Sequence, residues 1–164
     1  MRVVDGTRCG ACFEVWLPVK ARSSRPSPVP LPPRKRGGRR ARVLVIDDEP
    51  AILRAIDGVL AGVDNEVVLA GGGSEALAVL REDSAFDAVL CDLHMPDVDG
   101  IAVHAWLLAH HPERMDRLVF LTADSVSDRA RQFVAAVDPV LVMKPISAAE
   151  LEWALAPLLG SLRG

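Results

Sequence analysis

Four apolar runs in this chain each end in a polar residue able to do chemistry. They are Val43-Leu44-Val45-Ile46 before Asp47-Asp48, Val89-Leu90-Cys91 before Asp92, Leu118-Val119-Phe120-Leu121 before Thr122, and Val140-Leu141-Val142-Met143 before Lys144. Three carboxylates brought together repel one another and call for a cation. A hard, oxygen-seeking ion such as Mg²⁺ fits, because it is usually held by one or two carboxylates together with waters and phosphate oxygens. A lysine and a hydroxyl opposite would meet the oxygens of a phosphoryl group. Carboxylates form aspartyl-phosphates, so Asp92 is the candidate nucleophile. Taken singly, each residue has a plainer use. Asp47 or Asp48 can cap the helix opened by Pro50, Thr122 suits a strand, and Lys144 suits a solvent-facing position. The weight lies in all five standing at the ends of four separate runs.

The elements that must position these residues follow from periodicity. The run 43–46 is continuous and β-branched, as expected of a strand buried on both faces. Pro50 fits the first turn of a helix, and Ile52, Leu53, Ile56, Val59 and Leu60 recur at helical spacing as far as Gly62. A second strand is expected over 66–69, then Gly71-Gly72-Gly73, then a helix capped by Ser74. The third strand ends at Asp92, and a helix follows from Gly100 to His110, stopped by Pro112. A fourth strand over 118–122 precedes a helix from Val126 to Val137. The fifth strand runs into Lys144-Pro145, and Ser147 with Glu150 forms a capping box for a last helix. Strands and helices alternating over 42–160 predict an α/β fold, a five-stranded doubly wound parallel sheet of (βα)5, flavodoxin-like type. In such a sheet the C-terminal strand ends converge on one crevice.

Composition sets the surroundings. The chain has 164 residues, is 50% hydrophobic and 25% charged, and lacks Tyr, so its core must be aliphatic. No apolar run nears the roughly 20 residues that span a bilayer, and residues 1–6 show no signal-peptide core. Three Cys without such a signal fit a reducing cytoplasm. The net charge of -3 conceals a division: residues 1–42 hold 11 Lys and Arg against 2 Asp and Glu, and the remainder is strongly acidic. Residues 21–41 read as a Pro/Arg-rich linker, with Pro26, Pro28, Pro30, Pro32 and Pro33 favouring extended geometry. The basic run 34–40 has no interleaved aromatics, so a solvated spacer is expected and no nucleic-acid partner. Residues 1–20 hold two short β pieces, around Val3-Val4 and Ala11–Leu17, that together bury too little to be stable alone. Cys9 and Cys12 have the spacing of half a zinc site with no second pair nearby, and read as incidental.

Residues 43–160 resemble the receiver domain of two-component response regulators. The resemblance rests on the acidic pair Asp47-Asp48, on Asp92 followed by Met95-Pro96 and Asp99-Gly100, on Thr122, and on Lys144-Pro145. It implies that a histidine kinase or histidine phosphotransfer protein supplies a phosphoryl group to Asp92. It implies that Asp48, Asp92 and the backbone carbonyl of His94 hold Mg²⁺, with Asp47 acting largely through water. Lys144 would pair with the phosphate and Thr122 would hydrogen-bond to it and relay the change. His94 and Asp124 occupy the positions that tune the lifetime of the phosphate. The stretch Gly10–Pro18 is similar to the closing strand of the ATP-binding domain of sensor histidine kinases. Residues 1–20 then read as a remnant of such a domain, and the whole as the C-terminal receiver of a hybrid sensor histidine kinase without an attached output domain.

One departure concerns the switch. The family carries an aromatic three residues before the Lys, and this chain has Leu141. A phosphorylation-independent interaction module, a pseudo-receiver, is therefore the alternative. A haloacid-dehalogenase-like phosphatase uses the same groups but needs a second Asp two residues past the nucleophile, where His94 stands. An enzyme is not expected, beyond self-phosphorylation and autodephosphorylation.

Overall fold

The structure is a computed structural model, and it describes residues 2–4, 12–14, 40–62, 65–123 and 127–160. The chain divides into two units, residues 1–31 and 32–164. In the first, β1 (Arg2–Val4) pairs antiparallel with β2 (Cys12–Glu14), with Val3 opposite Phe13. Of the linker expected over 21–41, residues 21–39 lie outside the described residues, as do the flanks of the Gly10–Pro18 stretch, Asp124 and the helix start at Val126.

The second unit alternates strand and helix. Its elements are β3 (Arg42–Ile46), α1 (Pro50–Ala61), β4 (Glu66–Ala70), α2 (Gly73–Glu82), β5 (Ala88–Asp92), α3 (Gly100–His110), a 3-10 turn (Pro112–Arg117), β6 (Leu118–Thr122), α4 (Asp128–Val137), β7 (Val140–Met143) and α5 (Ala148–Gly160). The five strands form one parallel sheet in the order β4-β3-β5-β6-β7. This is the doubly wound arrangement expected from the alternation. The strand order reverses at β3 and β5, which opens a crevice beyond their C-terminal ends.

Alternation along the strands divides the core in two. Val43, Val45 and Leu90 point to the side covered by α1 and α5, where Ile56, Leu60, Leu151 and Leu155 are buried. Leu44, Ile46 and Cys91 point to the side of α2 and α3, with Leu80, Phe86, Leu107 and Phe120. Both β5 and β6 are buried along their whole length, which explains their unbroken apolar runs. Truncating a fully buried residue such as Ile56 to Ala should cost about 2–5 kcal/mol. Edge strand β7 is wetter: Val140 and Met143 are exposed.

Several local expectations are corrected. Neither Asp47 nor Asp48 caps α1. Glu49 holds the cap position without a side-chain bond, and Asp47 Oδ1 instead accepts the Glu49 N–H at 2.9 Å. Ser74 does not cap α2 either. The helix begins two residues earlier than that cap implies, after Gly72 at φ 152°, a backbone conformation open to glycine. Gly73 is fixed by packing, since a Cβ there would lie 2.1 Å from the Val98 carbonyl oxygen. Helix α4 is capped by Ser127, whose side chain accepts from Ala130 N. The capping box of α5 forms as expected: Glu150 N donates to Ser147 Oγ, and Glu150 Oε2 accepts from both Ser147 N and Oγ.

Candidate functional site

Strands β3, β5, β6 and β7 are consecutive in the sheet, so the polar residues at their ends share one edge. The register pairs Ile46 with Cys91, which brings Asp47 and Asp92 side by side just past the last paired residues. Both carboxylates are buried, Asp47 with 0% and Asp92 with 5% of its surface exposed. Asp48 is exposed, because the chain has turned out of the sheet by that point. One carboxylate oxygen from each of Asp47, Asp48 and Asp92 lies within 4.8 Å of the others.

Lys144 closes the cluster. Its Nζ is 2.8 Å from Asp47 Oδ2 and 2.8 Å from Asp92 Oδ2, with Glu49 at 3.8 Å. Its backbone N–H donates to the Thr122 carbonyl at 2.7 Å, tying the exit of β7 to β6. The other Asp92 oxygen, Oδ1, accepts the backbone N–H of His94 at 3.2 Å. Thr122 is buried, and its hydroxyl donates to the Ala123 carbonyl at 3.3 Å. Gly100 presses on the same place: a Cβ there would lie 2.3 Å from the Asp92 carbonyl oxygen. The Asp-Gly pair that opens α3 is therefore a packing requirement of the site.

One ammonium faces two buried carboxylates and two exposed ones. Burial pushes the Asp47 carboxyl above its usual range, and the Lys144 ammonium and the Glu49 N–H only partly offset this. Burial works against the charged form of Lys144 too, but its close approach to Asp47 and its hydrogen bond to Asp92 prevail and raise it. Asp47 Oδ2 is buried and, although close to Lys144, forms no well-aligned hydrogen bond. An all-oxygen donor set with excess negative charge and a poorly satisfied buried oxygen suits a small divalent cation. Cys91, next to Asp92, is fully buried, and burial first and the neighbouring carboxylates second push its thiol well up. It is a core residue.

The remaining candidates sit at the rim. The His94 ring is exposed and reaches the head of α4, where the Ser127 N–H donates to Nε2 at 3.5 Å. Leu141 is half-buried and packs in the core group that holds Phe120 and Phe133. The place where the resemblance leads one to expect an aromatic is thus filled by plain aliphatic packing. Sequence reasoning missed the parts of Glu49 and Arg129, and read Asp99 only as half of the Asp99-Gly100 pair. Glu49 is visible in hindsight as the third acid of Asp47-Asp48-Glu49. Asp99 and Arg129 form an ion pair at 2.7 Å across 30 residues, and nothing local announces it.

The response regulator receiver domain family matches residues 43–156. Two-component response regulator ARR11 of Arabidopsis thaliana is 34% identical over 113 residues, which cover 68% of this chain and 21% of that protein. Sensor protein TorS of Escherichia coli is 28% identical over 138 residues, covering 84% of this chain and 15% of that protein. The chain thus spans about a fifth or less of the length of these relatives. Among solved structures, a response regulator receiver domain protein from Clostridium thermocellum superposes with a TM-score of 0.64 at 27% identity, covering 74% of this chain and 95% of that one. In this chain three aspartates and a lysine line the crevice at the ends of β3 and β5, and with the family matching residues 43–156 the chain belongs to the receiver domain family of two-component response regulators.

Proposed function

We propose that Asp92 is the phosphoacceptor of this receiver and takes its phosphoryl group from a phosphohistidine on a histidine kinase or a histidine phosphotransfer protein. The observation that carries this reading is the ion pair of buried Asp92 with Lys144, set beside Asp47 and Asp48 at one sheet edge. A carboxylate oxygen of Asp92 attacks phosphorus as the P–N bond breaks. The bonding pair returns to the histidine nitrogen, and a proton from solvent completes the neutral imidazole. Phosphoryl transfer needs positioning and charge neutralisation more than covalent help from the protein.

Asp48, Asp92 and the His94 carbonyl would hold Mg²⁺, with Asp47 reached through water. Bound there, the ion would neutralise charge on the phosphoryl oxygens. Lys144 then exchanges its carboxylate partner on Asp92 for a phosphate oxygen. Thr122 turns its hydroxyl from the Ala123 carbonyl to the phosphate, which draws the end of β6 inward. The modification adds close to two negative charges, enough to bias a two-position element.

We also read the chain as part of a hybrid sensor histidine kinase, with residues 1–20 belonging to an ATP-binding domain and 21–41 to a linker. The TorS alignment supports this. It is longer than the receiver match over 43–156, and too few residues follow 156 to hold the excess, so it reaches back before residue 43. A cytoplasmic location follows from that reading. Among the described residues no helix is long and apolar enough to cross a membrane.

Acetyl phosphate or beryllofluoride with Mg²⁺ tests the phosphoacceptor role. Acetyl phosphate should leave a Mg²⁺-dependent covalent modification, seen by intact mass or phosphate-affinity electrophoresis, and beryllofluoride a Mg²⁺-dependent bound fluorine resonance in solution; Asp92→Asn should abolish both. A wild-type chain that takes up neither reagent would favour the pseudo-receiver reading, for which Leu141 speaks.

A further inference from the structure

The head of α4 is held to the loop after Asp92 by two polar contacts that share no residue. Arg129 Nη1 donates to Asp99 Oδ2 at 2.7 Å, and Ser127 N–H donates to His94 Nε2 at 3.5 Å. Apolar contact holds the rest: the Phe133 ring stands edge-on to Phe120 and to His104, with centroids 5.4 and 4.9 Å apart. Only Ala130 of α4 is buried, with Phe133 and Val134 partly so, and a cavity of about 350 Å³ lies between its head and the loop, walled by Leu93, Met95, Ile101 and Ala130. Asp99 is also tied to the site. Its Oδ1 caps α3 by accepting Ala102 N–H at 2.8 Å, and the next residue, Gly100, donates its N–H to the Leu93 carbonyl at 3.3 Å and lies against the Asp92 backbone. Arg129 to Asp99 to the Asp92 backbone is a continuous chain of contacts.

Resting on the phosphoacceptor reading of Asp92, we infer that Arg129 is a positioning residue that couples α4 to that site: through Asp99 it ties the head of the helix to the phosphoacceptor loop. A change of the loop at Asp92 then moves α4 over the cavity beneath it. The link takes the place of the aromatic that Leu141 does not supply. Arg129 touches neither the phosphoryl group nor the metal; it acts through Asp99.

Hydrogen exchange of the full chain, with and without beryllofluoride and Mg²⁺, tests this. In wild type the reagent should change exchange at residues 92–94 and in α4. Arg129→Ala should speed exchange of the first turns of α4 by about two- to fivefold before any reagent is added, the range expected for losing a partly exposed ion pair. The response of α4 to the reagent should fall by at least half while residues 92–94 still respond. Arg129→Lys should restore the coupling. Asp99→Asn keeps a capping oxygen but loses the charge, and should reproduce Arg129→Ala. If α4 of Arg129→Ala responds as in wild type, the coupling role is wrong and the phosphoacceptor stands. If residues 92–94 of wild type do not respond, the phosphoacceptor reading fails and the coupling with it.

Discussion

Replacing Asp47 by Asn should make the metal-free protein more stable and blunt its response to Mg²⁺. The Lys144 ammonium lies 2.8 Å from Asp47 Oδ2, an attraction of about 6 kcal/mol at an effective dielectric constant near 20. Asp92 and Asp48 present oxygens within 4.8 Å, each returning about 3 kcal/mol of repulsion or somewhat less for exposed Asp48. These nearly cancel. What remains is the burial of a charge with no exposed surface, a penalty of several kcal/mol per ion. Asn keeps the acceptor for the Glu49 N–H and pays a smaller burial cost, and Lys144 keeps Asp92 as its partner. A gain of about 1–3 kcal/mol is expected, worth roughly 3–6 °C in Tm per kcal/mol for a domain of this size.

Acid should erase the difference. Burial holds the Asp47 carboxyl above its ordinary range in the fold, so the folded state binds this proton more readily than the unfolded chain. Its destabilising contribution is present above the raised folded value and is lost as pH falls through it. Mg²⁺ should narrow or reverse the order, since a ligand at 100 times its Kd adds about 2.7 kcal/mol to the form that binds it. Thermal unfolding at neutral pH, in EDTA and then in millimolar MgCl₂, measures all of this. A destabilised Asp47→Asn in EDTA would refute the charge argument. Equal stabilisation of both proteins by Mg²⁺ would remove Asp47 from the metal site.

Gly100→Ala forces a Cβ to 2.3 Å from the Asp92 carbonyl oxygen, so it should cost at least about 2 kcal/mol by denaturant unfolding and slow modification by acetyl phosphate. Ser147→Ala removes the reciprocal cap of α5 and should cost about 1 kcal/mol, with Mg²⁺ binding by calorimetry unchanged.

The sequence by itself determined the alternation, and with it the sheet. Continuous apolar runs such as those opening 88–92 and 118–122 suit strands covered on both faces, and β5 and β6 are buried along their length. It also placed the candidate site residues at strand ends, because a polar residue ending such a run emerges at the strand's C-terminal edge. Caps were less legible. Ser74 has the right chemistry, yet the cap of α2 falls two residues earlier at Gly72, with Gly73 packed closely on Val98. Only the tertiary structure decided who faces whom. That Asp47 is fully buried while Asp48 is exposed depends on where β3 leaves the sheet, and the sharing of Lys144 between Asp47 and Asp92 depends on β7 lying at one edge. The bond from Arg129 to Asp99 joins residues 30 apart on two helices. Periodicity tells which face of a helix is apolar; it carries no information on which distant polar side chain the packed helix will meet.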